Sequence, residues 1–187
     1  MTRIFKTAGL LLATITLSAC MGSQGEVSNA APAGPLAVHS LKSVSVSVAN
    51  DAKINKLPRL DNADTSKAAA QVLASTNQVL KSGLATSFTG KAPATVKVSI
   101  VSIDMSSGAG RTVGSSSYMT TAVQVVDART GKTIKSGTLQ TEQRPFRATG
   151  NIGLIVMIAS NAGSTEEKRY QELAEKFHSD LVTWLQN

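Results

Sequence analysis

From Ser43 to Val48 serine and valine alternate without a break (Ser43-Val44-Ser45-Val46-Ser47-Val48). Only an extended strand, whose side chains point alternately to opposite faces, sorts such a run into one apolar face and one polar face. A strand of this kind needs a sheet partner along its edge and an apolar layer over one face only. The chain has 187 residues, enough for one domain of ordinary size. Aromatic residues are 4% of it, so that layer has to be built from Val, Ile, Leu and Ala.

The covering elements and partner strands can be read in order. The first strand is expected over Leu41 to Ala49, followed by a polar connection, Asn50 to Asp64. Thr65 or Ser66 caps a helix running to about Phe88, with an apolar stripe of Ala69, Val72, Leu73, Leu80, Leu84 and Phe88 that is interrupted at Thr76. Gly83 weakens its last turn. A second strand is expected over Ala94 to Met105, where Val101 and Ile103 break the alternation and predict a bulge or burial on both faces. A Gly/Ser-rich loop, Ser106 to Ser117, leads to a third strand, Tyr118 to Val126. Asp127 to Lys132 signals a hairpin, with Gly131 free to take positive φ, and the fourth strand is Thr133 to Glu142.

The last helix starts at a capping box, Ser164 with Glu167. It carries Tyr170, Leu173, Ala174, Phe177, Leu181 and Trp184 on one face. The order β-α-β-β-β-α predicts a right-handed crossover followed by hairpins. It gives an α+β fold: a two-layer sandwich with a mixed, mostly antiparallel sheet and two amphipathic helices on one face.

The N-terminus carries an address. Arg3 and Lys6 precede an apolar run of eleven residues, Thr7 to Leu17. That is too short for the roughly 20 residues of a membrane-spanning helix but suits a secretory signal. It ends in Leu17-Ser18-Ala19-Cys20, which resembles the bacterial lipobox, and Cys20 is the one cysteine of the chain. The small side chains of Ser18 and Ala19 admit a signal peptidase, and a thiol is nucleophilic enough to take a diacylglyceryl group. Residues 1–19 are therefore expected to be a lipoprotein signal peptide, residues 20–40 a lipidated cysteine with a flexible tether, and residues 41–187 one α+β domain. Within that tether, Met21 to Leu36 is rich in Gly, Ala, Ser and Pro. Cleavage before Cys20 removes Arg3 and Lys6, leaving seventeen cations against twelve acids, a net charge of +5 in place of +7. Three acyl chains, the usual number in this class, give stable anchoring without a spanning helix. By the same resemblance Met21, standing where an Asp would retain the protein at the inner membrane, implies the outer membrane.

Composition narrows the function. A single cysteine excludes an internal disulfide and a multi-cysteine zinc site, and two histidines, His39 and His178, leave little for a metal or a charge relay. No cofactor or metal is expected. No Gly-x-Ser-x-Gly elbow is present, His178 falls mid-helix beside the apolar stripe, and His39 falls at the end of the tether. No enzyme chemistry is expected. Gly108 to Gly114 looks like a phosphate cradle, but a strand rather than a helix follows it and no Gly-Lys-Ser/Thr closes it, so it reads as a strand–strand connection. Modest positive charge and few aromatic residues argue against nucleic acid.

The segment Gly150 to Gly163 stands out. Ile152, Leu154, Ile155, Val156, Met157 and Ile158 are apolar, flanked by Gly, Asn and Ser, and preceded by Arg144 and Arg147. One reading buries them in the domain's own core. The other presents them to a partner or a membrane leaflet, with Arg144 and Arg147 against anionic groups. Arg111 and Arg129 fall near loops that could extend such a basic rim.

Taken with Cys20, four features resemble small envelope lipoproteins of proteobacteria. They are the Gly108-Ala109-Gly110-Arg111 loop, the run Val123-Gln124-Val125-Val126-Asp127-Ala128-Arg129-Thr130-Gly131, the Gly-flanked apolar segment, and the helix ending Trp184-Leu185. The implied fold is similar to the amino-terminal domain of TolB and to auxiliary lipoproteins of envelope transport systems. The expected role is that of an outer-membrane-anchored periplasmic lipoprotein acting as a non-enzymatic binding or assembly module, for an envelope protein partner or as a homo-oligomer. The alternative is an accessory lipoprotein of an envelope lipid or amphiphile transport system, which would line a pocket between helix and sheet with its apolar residues.

Overall fold

The computed structural model describes residues 34–57, 65–147 and 165–187. A helical turn, α1 (Pro35–Val38), leads into β1 (His39–Leu57), α2 (Thr65–Ser87) and β2 (Ala92–Ser106). A single-turn helix, α3 (Gly108–Thr112), then joins β2 to β3 (Ser117–Asp127), followed by β4 (Thr133–Gln143) and α4 (Glu166–Gln186). The four strands form one sheet in the order β1-β2-β3-β4. β1 and β2 are parallel, joined through α2, while β2–β3 and β3–β4 are antiparallel. The fold is the expected α+β arrangement of a mixed sheet with helices packed on it.

The Ser/Val alternation sorts as the period of two requires. Val44, Val46 and Val48 stand opposite Val96, Val98 and Ile100 on the helix-covered face. Ser43, Ser45 and Ser47 lie on the other face and are exposed. On the covered face β2 and β3 bury Val96, Val98, Ile100, Met119, Val123 and Val125. β-Branched residues suit this pleated, packed surface. Val101 does mark a bulge: the register of β2 against β3 shifts between Ile100 and Ser102, and Val101 turns partly to solvent.

Several boundaries differ from the sequence reading, each for a physical reason. β1 runs on to Leu57 instead of ending at Ala49. Residues 49–52 leave the ladder in an irregularity between Val48 and Lys53, and Lys53–Leu57 then re-pair with Ser102–Ser106. The turn-like Asn50 and Asp51 sit inside that interruption and mimic the end of a strand. On α2 the fully covered positions are Ala68, Val72, Thr76, Leu80, Leu84 and, just past its end, Phe88. This is a strict i, i+4 ridge, with Ala69 and Leu73 only half-buried. Such a ridge is the packing surface one helix offers to another, and α2 packs against α4 as well as β1. α4 is capped by Thr165, whose Oγ1 accepts from the Lys168 N–H at 3.2 Å, rather than by Ser164, which lies outside the described residues. Leu185, missing from the expected stripe, is fully buried, whereas Trp184 is half-buried over β4. The ring of Trp184 packs where a Cβ on Gly137 would sit, and the Lys135 ammonium lies 4.5 Å from its centre.

The folded part also begins before Leu41. Pro35 and Leu36 are buried, and Gly34 lies against the carbonyls of Leu185 and Gln186 at the end of α4. Thr89 N–H donates to the Leu36 carbonyl at 2.9 Å, Gly90 N–H to His39 at 2.9 Å and Lys91 N–H to Val38 at 3.2 Å. Gly90 passes so close to the backbone of Val38 and His39 that no side chain fits there. At the β3–β4 hairpin, Asp127 Oδ1 accepts from the Arg129 and Thr130 N–H groups at 2.9 and 2.8 Å, and Gly131 takes φ +72° with open space around it. The two glycines are thus required for different reasons. Gly90→Ala is expected to destabilise the domain by about 1–3 kcal/mol, because backbone must move. Gly131→Ala should cost about 1–2 kcal/mol for the left-handed conformation alone. Urea melts of the two variants check the ranking.

Tyr170, 1% exposed, is held neutral by burial, with the Glu166 carboxylate adding to the effect, and its phenol is pushed up to about 12 from 10.0. Below pH 10 the phenol is protonated in folded and unfolded chains alike, and its contribution is complete. As pH rises from 10 towards 12 the unfolded chain loses the proton first, so folding stability falls across that window. Absorbance titration at 295 nm of a Tyr118→Phe variant, alongside unfolding at each pH, is expected to show Tyr170 ionising near 12.

Candidate functional site

The molecule has two distinct ends. At one, Gly34 enters beside the C-terminus of α4, β1 and β2 begin, and the β3–β4 hairpin turns. At the other, β2 and β4 finish, α3 turns, and α4 starts. Trp184 beside Gly137, and Glu172 beside Gln143, show that α4 runs antiparallel to β4 between these ends. Its 21 residues make the separation roughly 30 Å at 1.5 Å per residue.

The second end is tied together by a buried arginine. Ser107 caps α3, its hydroxyl accepting from Gly110 N–H at 2.9 Å, and the turn drives Arg111 inward to 4% exposure. Arg111 Nη1 donates to Gln143 Oε1 at 2.7 Å, and Nη2 pairs with Glu172 Oε2 at 3.0 Å. Gln143 Nε2 donates to the same Glu172 oxygen at 3.1 Å. One guanidinium thereby fastens α3, β4 and α4. The expected loop between β2 and β3 is thus a capped helical turn with a structural cation in it. Arg111, read as a member of a basic rim, is buried. An arginine in a glycine-rich loop looks the same in sequence whether it points out or in.

Outside this clasp runs a groove of about 800 Å³ between the edge of β4 and α4, lined by Gln140, Glu142, Gln143, Arg144, Glu172, Glu175, Lys176 and Asp180. Glu142 accepts from Ser116 Oγ at 2.9 Å and Tyr118 OH at 3.2 Å and pairs with Arg144 at 2.9 Å. These partners, Arg144 foremost, hold its carboxyl below the usual range and Arg144 above its own. Lys176 pairs with Asp180 one turn along. The groove therefore carries four carboxylates, three of them paired with a cation: Glu142 with Arg144, Glu172 with Arg111 and Asp180 with Lys176. A second, smaller depression of about 570 Å³ lies on the open sheet face, lined by groups such as Ser45, Ser47, Lys97, Gln124, Ser136 and Thr138.

Of the residues singled out in the sequence, Arg144 and Arg147 are exposed at this second end. Arg147 approaches Gly114, which takes φ +93°, and Phe146 beside it is 51% exposed. Arg129 lies at the opposite end, in the exposed hairpin. Ile152, Leu154, Ile155, Val156, Met157 and Ile158 lie outside the described residues, as do Leu17, Ser18, Ala19 and Cys20. The described chain leaves at Arg147 and returns at Thr165. His39 is not in a loose tether: it opens β1, with Nδ1 3.2 Å from the Pro35 carbonyl oxygen. His178 packs on Gly83, whose missing side chain admits the imidazole. Gly83 is thus a contact point between helices as well as a weak spot in α2. Among the described residues no helix is long and apolar enough to cross a membrane.

No protein-family model matches the chain, and no curated protein sequence matches it. Solved structures do show likeness. One is protein XCC0632 from Xanthomonas campestris, of family DUF330, with 12% identity, 83% of this chain and 88% of that one covered, and a TM-score of 0.40. A second is the PelC dodecamer from Paraburkholderia phytofirmans, with 11% identity, 75% and 94% covered, and a TM-score of 0.33. A third is a minor lipoprotein from Acinetobacter baumannii, with 10% identity, 77% and 92% covered, and a TM-score of 0.28.

The clasp makes a direct prediction. Breaking a fully buried ion pair by removing one partner costs about 3–5 kcal/mol, and Glu172 is 28% exposed, so water relieves part of that cost. Glu172→Ala is expected to lose about 2 kcal/mol in a urea melt. The double variant Arg111→Met/Glu172→Met should recover most of the loss, since no buried charge is left without a partner.

Proposed function

We propose that this protein is a lipid-anchored periplasmic lipoprotein of the outer membrane, whose α+β domain is a non-enzymatic binding or assembly module for an envelope protein or for further copies of itself. The observation that carries the reading is Cys20, the one cysteine of the chain, at the close of Leu17-Ser18-Ala19-Cys20 behind an eleven-residue apolar run. The tether expected from the sequence, Met21 to Leu36, is rich in Gly, Ala, Ser and Pro. A chain of that composition would hold the domain roughly 20–25 Å from the lipid.

The geometry of the domain favours a partner over the leaflet as the target of the second end. Gly34, where the tether attaches, is separated from Arg144 and Arg147 by the length of α4, roughly 30 Å. Arg144 and Arg147 are exposed at that end, and we assign them, with the apolar segment that follows them in sequence, to a protein partner, the natural counterpart of an apolar stretch with a basic flank. The lipid-transport alternative needs an apolar pocket between helices and sheet. The residues there, among them Leu80, Leu84, Ile100, Phe177 and Leu181, are all 0% exposed, which leaves no such pocket among them.

Two variants in the native host test the reading. Cys20→Ala is expected to move the protein from the membrane fraction to the soluble fraction and to abolish acyl labelling; a variant that stays membrane-bound through detergent-free washes refutes the anchor. Ile155→Asp is expected to leave the fold intact by circular dichroism while reducing recovery of cross-linked envelope partners at least fivefold. Global unfolding would show the segment to be core instead.

A further inference from the structure

The end of the molecule where Gly34 enters carries an excess of positive charge. β1 and β2 start there, His39 beside Ala92, and the pairing of Ala94 with Asp127 brings the β3–β4 hairpin alongside. Ala128 N–H donates to the Pro93 carbonyl at 2.8 Å and Lys91 N–H to the Val38 carbonyl at 3.2 Å, so α1, the start of β2 and the hairpin share one surface. Lys42, Lys91, Arg129 and Lys132 all stand exposed on it. Among the described residues none of these four side chains forms an ion pair.

Negative charge at this end is sparse and already engaged. Asp127, its one described acidic side chain, is turned into its own hairpin, where it accepts from the Arg129 and Thr130 N–H groups. Asn187 brings a carboxylate at the end of α4. Beside it the Lys135 ammonium donates to the Trp184 carbonyl at 2.6 Å and supplies the charge that the negative end of a helix calls for. Apolar side chains lie among the free cations: Ala37 is exposed, and Val38, held next to Lys91, is 46% exposed. A basic rim around a small apolar tip suits a lipid headgroup layer, where cations meet phosphates and methyl groups pass between them. At the opposite end Arg144 pairs with Glu142, Arg111 pairs with Glu172, and Glu166 and Glu167 open α4.

We infer that this end, through Lys42, Lys91, Arg129, Lys132 and the tip at Ala37 and Val38, rests on the anionic surface of a phospholipid leaflet. The inference deepens the anchored part of the reading above and rests on it. Gly34 is fourteen residues from Cys20, which keeps it within about 50 Å of a lipid-held cysteine. That reach lets either end of the domain approach the bilayer, and charge selects this one. The anchor then supplies attachment and the basic surface supplies orientation.

The test uses the full lipidated protein in vesicles whose headgroups carry a nitroxide quencher. A fluorophore is placed by maleimide at Ala37→Cys or, at the opposite end, at Val113→Cys, which is 83% exposed; lipidated Cys20 is a thioether and takes no label. In vesicles of phosphatidylcholine and phosphatidylglycerol in roughly equal parts, quenching at position 37 is expected to exceed that at position 113 by about threefold. The contrast should fall to about onefold in phosphatidylcholine alone, at high salt, or in the Lys91→Glu/Lys132→Glu background. Equal quenching at the two positions in anionic vesicles, stronger quenching at 113, or a contrast indifferent to lipid charge and to the reversals would each overturn the inference. So would a contrast found in native membranes and absent from vesicles, which assigns the surface to a protein. Failure of the anchor reads differently: the protein is then left behind when neutral vesicles are floated, whereas an anchored protein with an idle basic surface floats and shows no contrast.

Discussion

Burial of one face of β2 and β3 under two helices is the contact on which the rest depends. With so few aromatic residues, the inner layer is assembled from side chains of moderate size, each worth about 1.5–3 kcal/mol when removed from water. Val96, Val98, Ile100, Val123 and Val125 present a regular pleated surface. Leu80, Leu84, Leu173, Phe177 and Leu181 fill it from above. The contact also decides what is left outside. The opposite face has to tolerate water, and the serines, threonines and glutamines of all four strands meet that demand with little charge.

That arrangement makes α4 the element that links the two ends of the domain. It is packed along β4, its C-terminus receives the incoming chain at Gly34, and its N-terminal half supplies Glu172 to the Arg111 clasp. The helix therefore sets the distance between the point of attachment and the end bearing Arg144 and Arg147.

Much of this was legible in the sequence because periodicity reports burial directly. The period-two run in β1, the bulge at Val101, the Asp127–Gly131 hairpin and the α4 stripe each declare themselves through local pattern. What escaped reading depends on contacts distant in sequence. Thr76, Thr121 and Thr141 are fully buried although polar by type. Arg111 is buried because Glu172 and Gln143 arrive from elsewhere to receive it. Asn50 and Asp51 look like a turn because they sit in an interruption of β1 whose continuation is visible only in its pairing with β2. Pro35 and Leu36 look like tether because nothing nearby in sequence announces the α4 terminus that receives them. Arg144 and Arg147, singled out in the sequence, are exposed. The acidic groove beside them, with Glu142 from one element and Glu172, Glu175 and Asp180 from another, has no signature in any one stretch.

Anchoring and assembly constrain one another. If every copy is held to one bilayer through Cys20, all Gly34 ends must lie on the same side of any assembly. Antiparallel pairing of like edges, β1 with β1 or β4 with β4, points neighbouring strands in opposite directions and sends the two Gly34 ends apart, one toward the membrane and one away. Pairing β1 with β4 keeps every strand in the same sense, because those two edges run parallel within each copy. Each Gly34 then faces the lipid, and each Arg144 and Arg147 faces the opposite way.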